Sequence, residues 1–216
     1  MSRAIVMSAI RRALRRTSAI ESASTESPGR PQGLDSTVER TRAFRTRLES
    51  VDGEVHLVRD QDAARDLLME LVERRGWKDI AVSGAPLVTH ATSNLKADLF
   101  EGSQDRDRLA HCDLGITAVQ HAIAETGTLV LFSHAESHRL TSLLPPVHIA
   151  LVEQSQIVAG LGDALALAHG ADGGEPPPLV TFITGPSRTG DIELTMVTGV
   201  HGPRELIVIL IAPDSF

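Results

Sequence analysis

Leu206-Ile207-Val208-Ile209-Leu210-Ile211 is six apolar residues in a row, and Val147-His148-Ile149-Ala150-Leu151-Val152 is nearly its equal. A strand wet on one face alternates apolar and polar residues, whereas these runs do not alternate. They belong to strands covered on both faces, the environment of a parallel sheet sandwiched by helices. Thr128-Leu129-Val130-Leu131-Phe132 and Leu179 to Ile183 read the same way. Strand candidates Glu54 to Val58 and Ile80 to Ser83 lie upstream. Between them, Ala64, Leu67, Leu68, Leu71 and Val72 repeat with the period of an amphipathic helix over Asp60 to Arg75, closed by Gly76. Val38, Phe44 and Leu48 form an earlier helical stripe, while Leu87 to Phe100 and Leu161 to His169 are predicted as further helices. Alternating strands and helices predict an α/β fold: an open, mostly parallel sheet with helices on both faces.

This domain is expected over residues 37–216. Ahead of it, residues 1–16 carry Arg3, Arg11, Arg12, Arg15 and Arg16 and no acid, and 17–36 are rich in Ser, Thr, Pro and Gly. Residues 1–36 therefore read as a basic N-terminal helix and a flexible linker. An acid-poor transit peptide is the competing reading of the basic stretch.

Composition excludes several function classes. The chain has 216 residues and a formal net charge of −7, with 3% aromatic residues and no Tyr. Stacking on nucleic-acid bases is poorly supplied, and the charge opposes general nucleic-acid binding. No apolar stretch approaches the ~20 residues of a membrane-spanning helix. One cysteine, Cys112, cannot make an intrachain disulfide or supply the thiolates of an iron–sulfur cluster. The expectation is a cytoplasmic chain without its own cluster, flavin or nicotinamide. His134 and His138 stand four apart, but in the wrong order for a zinc-protease motif and without an identifiable third ligand, so no metal is assigned.

In open α/β sheets ligands bind beyond strand ends, so the segments flanking the runs are the candidates for chemistry. After Leu179–Ile183 come Thr184, Gly185, Pro186, Ser187, Arg188, Thr189, Gly190, Asp191, Ile192 and Glu193. Glycine-flanked backbone N–H groups can form an anion-binding nest, with Arg188 as its positive fork and Asp191 and Glu193 as partners for it or for a substrate. A tight turn is the other reading. Gly185, Ser187, Arg188, Thr189, Asp191 and Glu193 are taken as substrate-binding candidates. His201 and Gly202 lie in a second glycine-bearing turn, where the imidazole serves as proton donor, as ligand hydrogen bond, or only structurally. Ahead of the Thr128 run stand Glu125, Thr126 and Gly127. Glu125 is either a nucleophile, base or anchor, or the end of a helical turn capped by Gly127. Glu125 and His201 are the catalytic candidates; Thr126, Gly127, Thr128 and Gly202 complete the binding set.

Five segments in order resemble the lactate-utilisation protein C family, built on the LUD domain: Asp113 to Thr117, Ala122 to Thr128, Ser142 to Ile149, Thr184 to Glu193, and Gly199 to Pro203. Gly190 departs from the Ala often found there. The resemblance implies a fold similar to sugar-phosphate isomerases and CoA-transferases. It further implies a cytoplasmic part in oxidation of lactate to pyruvate, with clusters carried by iron–sulfur partner proteins and a small carboxylate or other anion as ligand. The alternative is a stand-alone isomerase or acyl-CoA-transferase-like enzyme acting on a small anion. The resemblance assigns no settled catalytic residues.

Overall fold

The computed structural model describes Met7, Pro31 and residues 33–102, 105–133, 139–168, 177–190, 196–198 and 202–215. Apart from Met7, the basic segment falls outside this set, as do His134, His138, His201, Asp191 and Glu193. Helix α1 (Thr37–Glu49) begins at Ser36, which caps it by a reciprocal pair: Glu39 N–H donates to the Ser36 hydroxyl and Ser36 N–H donates to the Glu39 carboxylate. Strand β1 (Glu54–Val58) follows, then α2 (Gln61–Arg75), capped at one end by Asp60 and at the other by Gly76 in the left-handed conformation. The chain continues through β2 (Asp79–Val82), α3 (Pro86–Thr92), β3 (Asp98–Glu101), α4 (Arg106–His111) and β4 (Leu114–Ala118). The hairpin β5 (His121–Ile123) and β6 (Thr128–Phe132) comes next. After it lie β7 (Val147–Glu153), β8 (Ile157–Val158), α5 (Leu161–Ala168) and β9 (Val180–Ile183), then β10 (Arg188–Gly190), β11 (Met196–Thr198) and β12 (Glu205–Ile211).

Six strands form one sheet in the order β1-β12-β7-β4-β2-β3, and every neighbouring pair is parallel. The apolar runs of β7 and β12 lie side by side at its centre, with Ile207 opposite Ile149 and Ile209 opposite Leu151. Odd-numbered residues of both strands face α2 and α3, packing Leu68, Leu71 and Val88 against Ile149, Ile209 and Ile116. Even-numbered residues face the other way, onto Phe44 and Leu48 of α1 and onto Ala122, Leu129 and Leu131. A parallel sheet covered on both faces is what the unbroken runs require.

The second covering layer differs from the expectation of helices alone. Thr128–Phe132 does not join the parallel sheet. It is buried at every residue within a separate four-stranded sheet, β8-β5-β6-β9, that lies with α1 across the main sheet. Helix α5 seals its outer side with Ala164 and Ala168 against Ile123, Val130 and Phe132. Strand β9 pairs antiparallel with β6 at the rim of this layer and is only partly buried, with Phe182 43% exposed. The region Leu87–Phe100 also divides: α3 stops at Thr92, and 98–101 pairs with β2 as the edge strand β3.

Cys112 is buried among Ala81, Phe100 and Leu109, and burial pushes its thiol pKa up, so it is a packed, inert thiol. At the amino ends of β2 and β3, Arg108 bonds Asp79 at 2.6 Å and Asp98 at 2.7 Å while its guanidinium stacks 4.0 Å from the Phe100 ring centre.

Gly127 and Gly76 share a φ of 68° but not their surroundings. A Cβ on Gly127 would stand 2.5 Å from the Leu48 backbone nitrogen, whereas one on Gly76 would meet nothing within 4 Å. Gly76→Ala is expected to cost about 1 kcal/mol, the left-handed penalty alone. Gly127→Ala is expected to cost more than about 3 kcal/mol, because backbone must also move. Urea unfolding of the two variants beside wild type measures the difference.

Candidate functional site

The turn joining α1 to β1 organises the first cluster. Gly127 rests on Leu48 and Arg47 at the end of α1, and a Cβ on Gly185 (φ 90°) would lie 2.9 Å from the Val51 carbonyl oxygen. Two glycines thus bring two separate loops onto one turn. Above Gly127 the hydroxyls of Thr126 and Thr128 are 2.6 Å apart, and Thr128 is 2.7 Å from the Thr184 hydroxyl. These three threonines form a hydroxyl chain linking the start of β6 to the end of β9.

Beyond Gly185 the chain crosses to the main sheet. Ser187 N–H donates to the Pro203 carbonyl at 2.8 Å, and a Cβ on Gly202 would sit 3.2 Å from the Ser187 Cβ. Arg188 reaches back and pairs with Asp52, whose own φ of 64° is one that Asp tolerates. Asp52, Glu54, Pro186, Arg188, Arg204 and Glu205 line a surface pocket of about 250 Å³. Three carboxylates and two guanidiniums share its wall, and the Arg188 guanidinium is already paired with one of the carboxylates, Asp52. Glu205 is engaged by Arg75 at 2.9 Å and Glu54 by His56 at 2.6 Å.

Of the sequence-predicted residues, the structure brings Thr126, Gly127, Thr128, Gly185, Ser187, Arg188 and Gly202 around this one turn. Thr189 continues into β10, whose antiparallel partner is β11. Glu125 is exposed, and its carboxylate turns toward Gly160 and Pro31: Oε2 lies 3.2 Å from where a Cβ on Gly160 would stand. The cluster occupies the amino end of the parallel sheet, where β1 and β12 begin, and not the carboxyl end that the rule for open sheets favours. The cause is topological. The loop bearing Arg188 leaves β9 of the second sheet, so it inherits no end of the parallel one.

Sequence reasoning passed over a second polar group. His148, inside the β7 run, is fully buried with its Nε2 2.9 Å from the equally buried Thr117 hydroxyl. Burial pushes its pKa down to about 3, which keeps the ring neutral. The one available signal was a lone imidazole interrupting an otherwise apolar strand.

The LUD domain family matches residues 41–211. An uncharacterised protein of Neisseria meningitidis serogroup B is 34% identical over 83% of this chain and 80% of its own length. Lactate utilization protein C of Bacillus licheniformis is 38% identical over 62% of this chain, and that of Bacillus subtilis 34% identical over 65%. The chain spans 58% of the length of each of these two proteins. Among solved structures, a DUF162 family protein from Deinococcus radiodurans superposes with a TM-score of 0.61 at 23% identity, covering 82% of this chain and 99% of that one. That likeness concerns the fold.

The neutral His148 makes stability depend on pH. An unfolded histidine takes up its proton near pH 6.5, while the folded one refuses it down to about pH 3. Between those values the unfolded state binds more protons, so stability falls as pH falls, by up to about 1.4 kcal/mol per pH unit. Half-buried His121 is lowered by burial too and adds in the same direction. His148→Gln removes this contribution and is expected to flatten the loss between about pH 7 and pH 5 by about 2 kcal/mol. Urea unfolding at the two pH values checks it.

Proposed function

Given that this chain belongs to the LUD domain family, we propose that it serves lactate utilisation in the cytoplasm as a subunit without an iron–sulfur cluster, supporting oxidation of lactate to pyruvate alongside iron–sulfur partner proteins. The observation that carries this reading is the family match over 41–211, together with relatives named Lactate utilization protein C. The cysteine content agrees with it, since one buried thiol cannot hold a cluster and the electrons of lactate oxidation then leave through partners.

Within this role the amino-end pocket is the carboxylate site. Arg188 presents a planar fork suited to a small 2-hydroxy or 2-keto acid, and the threonine hydroxyl chain and Ser187, on segments adjoining the pocket wall, are assigned to the same site. Asp52 holds the guanidinium in place until a substrate carboxylate replaces it. His201, Asp191 and Glu193 adjoin these segments in sequence and are assigned to the same site, His201 as proton donor. Glu125 remains the candidate nucleophile if the isolated chain turns over an anionic substrate by itself. That outcome would favour the isomerase or acyl-CoA-transferase alternative.

Calorimetry with lactate and pyruvate on wild type, Arg188→Ala and Arg188→Lys tests the site. Arg188→Ala is expected to lose roughly 1.5–3 kcal/mol of binding, the range for a hydrogen bond to a charged group. Arg188→Lys should recover part of it, keeping the charge and losing the fork. Asp52→Asn frees the guanidinium and is expected to tighten binding. Unchanged affinity in Arg188→Ala would leave the loop as turn architecture. At the cellular level, deletion of the gene is expected to stop growth on lactate, and the tagged chain should copurify with iron-containing proteins. Normal growth on lactate after deletion would refute the role.

A further inference from the structure

The strand order contains a switch point away from the amino-end pocket. From β2 the chain moves to β3 at one edge, while from β4 it moves toward β7 on the other side, and β2 and β4 are neighbours. Open α/β sheets bind ligands in the crevice at the carboxyl ends of such a pair. Register identifies what stands there. Val82 pairs with Ile116 on one side and Glu101 on the other, and Ser83 N–H donates to the Ile116 carbonyl at 3.0 Å. The next row therefore comprises Gly102, Ser83 and Thr117.

Thr117 lies on the face that carries His148, to which it is bonded. Over this face sits the short turn Arg139–Ser142. The Thr141 hydroxyl lies 2.3 Å from where a Cβ on Gly102 would be, and its carbonyl 2.0 Å from the same point on Gly115. Two glycines thus set Thr141 down onto the sheet beside the row. All four polar residues are at most 3% exposed. Yet Ser83 Oγ, Thr141 Oγ1 and His148 Nδ1 have no hydrogen-bond partner among the described residues.

Folded chains seldom leave one such atom buried, because each loses its water and gains nothing in return. Ser83 Oγ and Thr141 Oγ1 at the switch point, with His148 Nδ1 behind Thr117, call for an explanation outside the apolar core. We propose that the crevice at the carboxyl ends of β2, β3 and β4 is a second binding site, which takes the hydroxyl-bearing part of a small uncharged organic molecule through Ser83, Thr117 and Thr141, with His148 behind Thr117. The groups identified are neutral hydroxyls and a neutral imidazole, which suit an alcohol or ketone oxygen. Arg139, on the covering turn, is exposed, so a carboxylate taken in there would have no cation buried with it. Entry requires the turn Arg139–Ser142 to lift from its glycine seats. The site is independent of Arg188 and of the role proposed above.

The probes are L-lactamide, 1,2-propanediol and hydroxyacetone, three-carbon compounds without charge, with L-lactate as the charged control. Binding to the full chain is read from the imidazole nitrogen resonances of His148, with Ser83→Ala, Thr141→Val and Arg188→Ala as variants. A saturable shift is expected with at least one neutral probe and a weaker one with L-lactate. Ser83→Ala and Thr141→Val should each bind about tenfold more weakly, whereas Arg188→Ala should bind as wild type. Thermal unfolding separates a ligand role from a structural one. Deleting an unpartnered hydroxyl should leave the melting temperature of Ser83→Ala unchanged or raised. The proposal is overturned if His148 responds to no neutral probe, if Ser83→Ala binds like wild type, or if Ser83→Ala melts markedly lower.

Discussion

A parallel sheet tolerates water on neither face, and the β7–β12 pair makes that requirement absolute here. Every residue of these two strands except their ends is buried, from Val147 to Val152 and from Leu206 to Ile211. One face is met by α2 and α3. The other is too broad for α1, so a second sheet is laid across it, and that layer in turn needs α5. The layering follows from covering one pair of strands.

The same constraint separates the two polar regions. Because the second sheet runs by its own directions, the loop leaving β9 arrives at the amino end of the main sheet, bringing Arg188 to Asp52. The carboxyl end is left to groups carried by the main sheet itself: Ser83 after β2, Gly102 after β3 and Thr117 near the end of β4. A charged rim pocket and a buried group of neutral polar side chains thus occupy opposite ends of one scaffold.

How much of this was legible in the sequence depended on whether a signal was local. The periodicity of Asp60 to Arg75 with its terminal Gly76, and the apolar runs of β7 and β12, resolve into elements as read, because helix period and double burial are written in consecutive residues. The run Thr128–Phe132 announced its burial but not its partner, and only pairing with β5 and β9 assigns it to a separate antiparallel layer. Leu87–Phe100 read as one helix because Val88 and Ala91 continue the apolar pattern, while the four residues of β3 are too few to show alternation. For the candidate site, glycine-flanked hydroxyls beside strand ends pointed to the loops that meet at the α1–β1 turn. Asp52 went unremarked, since nothing nearby in sequence ties it to a residue 136 positions away. The His148 group escaped for the same reason: its neighbours lie on β2 and β4 and become visible only through register.

The sealed thiol has a practical consequence. Cys112 is the chain's one cysteine, and it is 1% exposed beneath Phe100 and Leu109, next to the β2–β3 edge. A thiol-reactive dye added to the folded protein therefore has a single target, reachable only when that edge opens. The rate of labelling becomes a clock for local opening beside the turn that carries Thr141, read without introducing any label site. Anything that holds the edge shut slows the clock, and does so in a sample that remains folded throughout.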